Sequence, residues 1–347
     1  MTITKEKVLE LLEKVLYFPK GDNVVALNMI RNIKVEGDEV SFVLYFPKRD
    51  EHNENILKDS CINAIKQNLD ENVKVNIDIK TPSSSLKGIK NIVAIASGKG
   101  GVGKSTVAVN LAVALHKSGE RTGIVDADIY GPSIPMMFDV MEEHPQVMKK
   151  DGKTMIIPIE KYGIKVLSIG FFVDKNQALI WRGPLASNAL TQLFNDADWG
   201  ELDYLVVDLP PGTGDIHLTL VQQVPVTGVA IVTTPQEVAL ADAKKAFSMF
   251  NQKNIKVPVL GLIENMSFFT PAELPENKYY IFGKEGGKKL AKDSGVVLLG
   301  EIPLVQSICE SGDNGKPSAL EEGTLISKAF MELANNIKTE INKIKSG

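Results

Sequence analysis

Between Gly98 and Ser105 the chain reads Gly98-Lys99-Gly100-Gly101-Val102-Gly103-Lys104-Ser105, with four glycines, two lysines and a hydroxyl in eight residues. The spacing is GxxxxGK[ST], with the apolar run Ile92–Ser97 before it and a helix-forming run from Thr106 after it. Glycines let backbone N–H groups wrap phosphate oxygens without a Cβ in the way, and the following helix aims its positive end at the anion. In such a loop Lys104 reaches the β- and γ-phosphates and Ser105 ligates Mg²⁺, with Thr106 completing the ATP-contacting set. The plainer alternative, a glycine-rich turn that binds nothing, is weakened by the strand before it and the helix after it.

Carboxylates end two other apolar runs. Tyr204-Leu205-Val206-Val207-Asp208 places Asp208 where a carboxylate holds Mg²⁺ through water, and Pro210-Pro211-Gly212-Thr213-Gly214-Asp215 follows as a phosphate-sensing loop. Asp126 and Asp128, in IVDADIYGPS, are one residue apart beside the expected γ-phosphate. There Asp128 could orient the attacking water and Asp126 could join the outer metal shell. Loop capping is the structural alternative for both. Of the four histidines, His217 follows the Pro-rich loop and is read as structural, with a response to nucleotide state as the alternative.

The elements that must position these groups are visible as a change of pattern at Ile92. From there NIVAIAS, RTGIVDAD, GIKVLSIG, DYLVVDLP, GVAIVTTP, VPVLGLIEN and VVLLGEIP alternate with helical stretches. These runs are apolar throughout, as strands covered on both faces are. The fold class expected is α/β, a mostly parallel, doubly wound P-loop NTPase sheet with ligands at the carboxyl ends of its strands. Residues 1–80 read as a small α-β-β-α-β domain, 81–91 as a Pro/Ser/Gly-containing linker and 92–347 as the ATPase domain.

Composition narrows the function class. The chain has 347 residues, is 44% hydrophobic and carries a net charge of −4, so neither a broad basic field for nucleic acid nor a membrane-spanning run is expected. The N-terminus has no apolar secretory core, and a cytoplasmic protein is expected. Two cysteines, Cys61 and Cys309, exclude a disulfide framework and any CxxC pair. Cys61 reads as a buried small hydrophobe and Cys309 as a packing cysteine.

The early lysine of GKGGVGKS resembles the deviant Walker A family of MinD, ParA, the nitrogenase iron protein and Mrp. VDADIYGPSIP, WRGP (Trp181–Pro184), DYLVVDLPPGTGD, TTPQEVALADAKKA and ENMS (Glu264–Ser267) narrow the resemblance to Mrp/ApbC-type iron–sulfur cluster carriers over residues 90–345. The first 80 residues resemble the small domain of iron–sulfur assembly factors. The resemblance implies a homodimer in which Lys99 reaches the partner's nucleotide, Asp128 supports hydrolysis and Asn265 meets the adenine ring. It also implies a [4Fe–4S] cluster carried to apo-proteins or assembly factors.

The chain departs from that family where the cargo is held. CxxC is expected shortly after ENMS, but Thr270 to Asn277 contain no cysteine, and thiolates are the usual cluster ligands. Two copies of Cys309 in a dimer are the remaining ligand candidates. Three readings therefore stand: a cluster carrier, an ATP-gated scaffold that carries no cluster, and a MinD/ParA-type positioning ATPase. The last would use the C-terminal run NNIKTEINKIKSG as a membrane helix, against which docking on its own domain is preferred.

Overall fold

The computed structural model describes residues 3–346 except Asn28, 47–50, 81–85, 151–152, 173–182, 253–254, 256, Ala272 and Pro275. Trp181 and Arg182 of the WRGP stretch thus lie outside the described residues. The chain divides into two compact units, one formed essentially by residues 1–83 and the other by 84–251 and 257–347.

In the first unit, α1 (Lys5–Leu12) leads through the short pair β1 (Leu16–Tyr17) and β2 (Asp22–Asn23) into the hairpin β3 (Ile30–Glu36) and β4 (Glu39–Tyr45). Helix α2 (Glu51–Asn68) then crosses to β5 (Lys74–Lys80), which pairs parallel with β4. Alternate residues Val40, Phe42 and Leu44 face the helices, where Val8, Leu12, Leu57, Cys61 and Ile65 close the core. The small α-β-β-α-β pattern is present, with the β1–β2 pair added around a turn.

The second unit runs β6 (Ile92–Ser97), α3 (Lys104–Lys117), β7 (Thr122–Asp126), α4 (Ile134–Met137), the hairpin β8 (Gln146–Lys150) and β9 (Lys153–Ile157), β10 (Ile159–Lys161) and β11 (Ile164–Ser168). It continues with α5 (Gly183–Asn195), β12 (Tyr204–Asp208), α6 (Asp215–Gln223), β13 (Gly228–Thr233), α7 (Glu237–Phe250), β14 (Val259–Glu264), α8 (Gly286–Ser294), β15 (Leu298–Glu301), α9 (Gln306–Asp313) and α10 (Leu325–Ser346). Among the described residues the sheet has eight strands in the order β10-β11-β7-β12-β6-β13-β14-β15. All neighbours are parallel except β10, which is antiparallel to β11.

Every residue of β6, β7, β12 and β13 is buried, which is why their sequences do not alternate. Helix α3 packs on β6, β7 and β12, α7 on β6 and β13, and α8 on β14 and β15, while α5 packs against α6. Helix α10 packs on α3 and β15 through Phe330, Leu333, Ile337 and Ile341, while Ile344 stays 41% exposed. Each fully buried Ile there contributes about 1.5–3 kcal/mol, so the C-terminal helix is docked on its own domain as expected. Residues 86–91, read from sequence as linker, are held on this unit: Lys90 N–H donates to Leu202 O and Leu202 N–H to Gly88 O. No helix among the described residues is long and apolar enough to cross a membrane.

Candidate nucleotide site

Three adjacent strands deliver the site at their carboxyl ends. β6 ends at Ser97 and enters the Gly98–Ser105 loop, β7 ends at Asp126 and β12 at Asp208. Asp208 is the register partner of Asp126 on β7 and of Ile95 on β6. Two carboxylates from motifs 82 positions apart in the chain thus stand side by side, both fully buried.

The loop adopts conformations that its glycines permit. Gly103, the residue before α3, has φ +79°, and a Cβ there would lie 2.2 Å from Asn265 Nδ2. At Gly98 a Cβ would lie 2.0 Å from the Asp242 carbonyl oxygen of α7, so only glycine admits this approach. Asn265 Nδ2 donates to Val102 O at 2.8 Å, and Ser97 Oγ donates to Lys99 O at 3.0 Å. The structure thus places Asn265 against the loop itself.

Lys104 is buried with its Nζ 2.6 Å from Asp208 Oδ1, 3.5 Å from Asp128 Oδ2 and 3.3 Å from Ser105 Oγ. Asp126 accepts N–H groups from Asp128 and Ile134, each at 3.1 Å, and the Ser168 hydroxyl at 3.0 Å. Asp128 accepts Tyr130 N–H at 3.1 Å. Burial, with the neighbouring Asp208 charge second, pushes the Asp126 carboxyl up to about 7. Burial also raises Asp208, opposed by the Lys104 ammonium.

Two carboxylates, Asp208 and Asp128, thus meet one ammonium, with Asp126 beside Asp208 on the neighbouring strand. Asp208 Oδ2 is buried with no hydrogen-bond partner, and Ser105 adds a second hard oxygen, the donor type Mg²⁺ prefers. Among the described residues no group of three or more His, Cys, Asp or Glu side chains is arranged to hold a metal ion. Mg²⁺ here would take most of its shell from water and phosphate, as that ion ordinarily does.

Lys99, by contrast, is exposed and makes no ion pair among the described residues. The sequence did not single out Ser168, which fixes Asp126, or Glu264, whose carboxylate accepts Ser267 Oγ and the Gly287 N–H at the start of α8. A serine or glutamate at the end of a buried strand was the available signal.

The cysteines divide. Cys61 is buried, and desolvation pushes its thiol up to about 12. Cys309 is exposed on α9, its Sγ 3.9 Å from Asp313 Oδ2, so the packing role expected for it is wrong. The reason is that α9 has no wholly buried residue. The hairpin that follows ENMS closes through paired Phe269 and Tyr279 backbones and offers no thiol.

Residues 88–338 match the family described as NUBPL iron-transfer P-loop NTPase, and residues 5–79 match the iron–sulfur cluster assembly protein family. An iron–sulfur cluster carrier protein of Synechocystis sp. is 41% identical over 349 residues, covering 98% of each chain. The mitochondrial iron–sulfur protein required for NADH dehydrogenase of Arabidopsis thaliana is 47% identical over 77% of this chain and 83% of its own. Among solved structures, a nucleotide-binding protein of Archaeoglobus fulgidus in complex with ADP is 38% identical, with TM-score 0.59 over 68% of this chain and 91% of its own. The MinD cell division ATPase of Pyrococcus furiosus, 22% identical with TM-score 0.51 over 72% of this chain and 99% of its own, shares the fold. A match over most of the P-loop unit, joined to relatives aligned almost end to end, makes this chain a member of the NUBPL iron-transfer P-loop NTPase family.

Proposed function

We propose that this chain is a homodimeric, Mg²⁺-dependent ATPase that binds iron–sulfur clusters or assists their assembly and passes them to apo-proteins. The observation that carries the ATPase part is the buried Lys104–Asp208–Asp128 arrangement beneath a phosphate-binding loop, with Lys99 left exposed beside it. In this reading Lys104 holds the chain's own nucleotide and Asp128 orients water. Lys99 reaches the partner's γ-phosphate, supplying in trans the cation that charge developing there requires. Asn265 sits against the loop where it can also meet the adenine. Turnover is then slow in the monomer and dependent on dimer closure, and the protein works in the cytoplasm. The carrier names of the relatives support the cargo, as does the match of residues 5–79 to an assembly-factor family.

A second reading, an ATP-gated scaffold without a cluster of its own, is favoured by one fact. Of the two thiols one is buried, leaving Cys309 alone per chain to meet a cluster that takes four ligands. Anaerobic reconstitution with iron and sulfide, followed by transfer to an apo-ferredoxin, separates the two. Retained cluster iron and ATP-stimulated transfer support the carrier; no retained iron alongside ATP-dependent dimerisation supports the scaffold.

A further inference from the structure

The loop that leaves Asp208 has an unusual shortage of anchors. Pro210 and Pro211 have no N–H, so between Leu209 and Gly212 the backbone can be held only through its carbonyls. The loop's two flanking amides are tied to β6: Leu209 N–H donates to Ile95 O at 3.0 Å and Gly212 N–H to Ser97 O at 2.9 Å. Gly212 itself sits at φ +96°, in the left-handed region.

The middle is fixed by one side chain. His217, in the first turn of α6 and only 2% exposed, sets its Nε2 2.7 Å from Pro210 O. A carbonyl only accepts, so Nε2 carries the hydrogen and the neutral ring has its other nitrogen bare. Nδ1 is buried without a well-formed hydrogen bond, the Gly214 carbonyl being the other backbone acceptor near the ring. A buried polar atom left without a partner costs stability, so packing alone does not account for a histidine here; an apolar ring would fill the space without the penalty.

We propose that His217 is a positioning residue for ATP hydrolysis, its Nε2–H holding the Pro210 carbonyl and so fixing the 209–214 loop beside Asp208. The proposal deepens the ATPase reading above and rests on it. The contact of its Nε2 is with the Pro210 carbonyl, so it acts through the loop. Its loss therefore lowers turnover while leaving ATP affinity intact, and a side chain that replaces only the Nε2–H restores turnover.

The test compares the full-length wild type with His217→Phe and His217→Gln. Phe keeps the ring and removes the donor, whereas the Gln amide presents an N–H near the Nε2 position. Amide hydrogen exchange is followed for peptides spanning 209–216 and, as an internal standard, α10; ATP turnover is measured in parallel. We expect H217F to speed exchange in 209–216 by about tenfold with α10 unchanged. We also expect it to lower kcat by roughly 10- to 100-fold, with KM for ATP within about threefold, the scale of a misplaced catalytic segment. H217Q should recover most of both. Equal behaviour of H217Q and H217F, unchanged 209–216 exchange in H217F, or faster exchange of α10 as well would overturn the proposal. If the wild type turns over no ATP while H217F loosens the loop and H217Q restores it, the hydrolysis reading fails and the latch itself stands.

Discussion

The ammonium of Lys104 lies 2.6 Å from Oδ1 of Asp208, with the two side chains 6% and 0% exposed. The lysine expected to hold phosphate is therefore also the counter-ion of the carboxylate expected to serve the metal. Removing one partner of a buried pair costs about 3–5 kcal/mol, because the remaining charge is uncompensated. Burial already raises Asp208, so proton uptake limits the loss to the lower end. Lys104→Ala should abolish ATP binding and lower the unfolding free energy by about 3 kcal/mol. Adding Asp208→Asn should recover most of that stability and none of the binding. Urea denaturation and ATP titration of the two variants check this; a single variant as stable as wild type would show that the pair carries no weight.

Lys99 and Asp128 allow a test of which subunit supplies what. Lys99→Ala should bind ATP normally and lose turnover by about 10³-fold, the scale of a trans cation. Asp128→Ala should hold ATP without hydrolysing it. If Lys99 acts across a dimer, a subunit carrying Lys99→Ala still has its own Asp128 and receives a partner's intact Lys99. An equimolar mixture of the two dead variants should then regain about a quarter of wild-type turnover, since half the dimers are mixed and each has one complete site. A mixture as inactive as its components would place Lys99 in cis.

What the sequence disclosed, and what it did not, follows from contact range. The seven parallel strands were legible because a strand covered on both faces must be apolar throughout, as Ile92–Ser97 and Gly228–Thr233 are. The β8–β9 hairpin went unseen because QVMKK and KTMII carry apolar runs of only two and three residues. Helix α8 opens on two glycines, and only Gly287 and Ala291 of it are buried, too few to mark a face. At the site, the loop and both aspartate motifs are local patterns and were readable. The pairings Asn265–Val102 and Ser168–Asp126 join positions far apart in the chain, and no spacing rule connects them.

The phosphate loop gives two glycine substitutions with opposite outcomes. At Gly98 a Cβ meets the Asp242 carbonyl at 2.0 Å, an approach that backbone must yield to relieve. At Gly100 nothing lies within 4 Å, and its φ is not in the left-handed region. Gly98→Ala should therefore destabilise by about 3 kcal/mol or more and weaken ATP binding, in the range of overpacked sites. Gly100→Ala should leave the melting temperature within about 2 °C, as an unstrained surface change does. Thermal melts of both variants decide it, and equal losses would mean that the close approach of the loop to α7 is not what Gly98 provides.

The two thiols should behave as different chemical species. Native protein should react with one equivalent of a thiol reagent, at Cys309, and with a second only on unfolding, because Cys61 is wholly buried. The same burial sets a pH dependence. Well below pH 9 the Cys61 thiol is protonated in both states and contributes little to the slope. Above it the unfolded thiol ionises while the folded one, pushed up to about 12, does not. The unfolded state then binds fewer protons, so stability falls as pH rises from 9 toward 12, with a limiting slope of about 1.4 kcal/mol per pH unit. Cys61→Ala should remove this component while lowering stability at neutral pH through the cavity it leaves. Urea denaturation of wild type and variant at pH 8 and pH 10.5 measures it. Parallel loss of stability in both proteins would assign the alkaline slope to other groups.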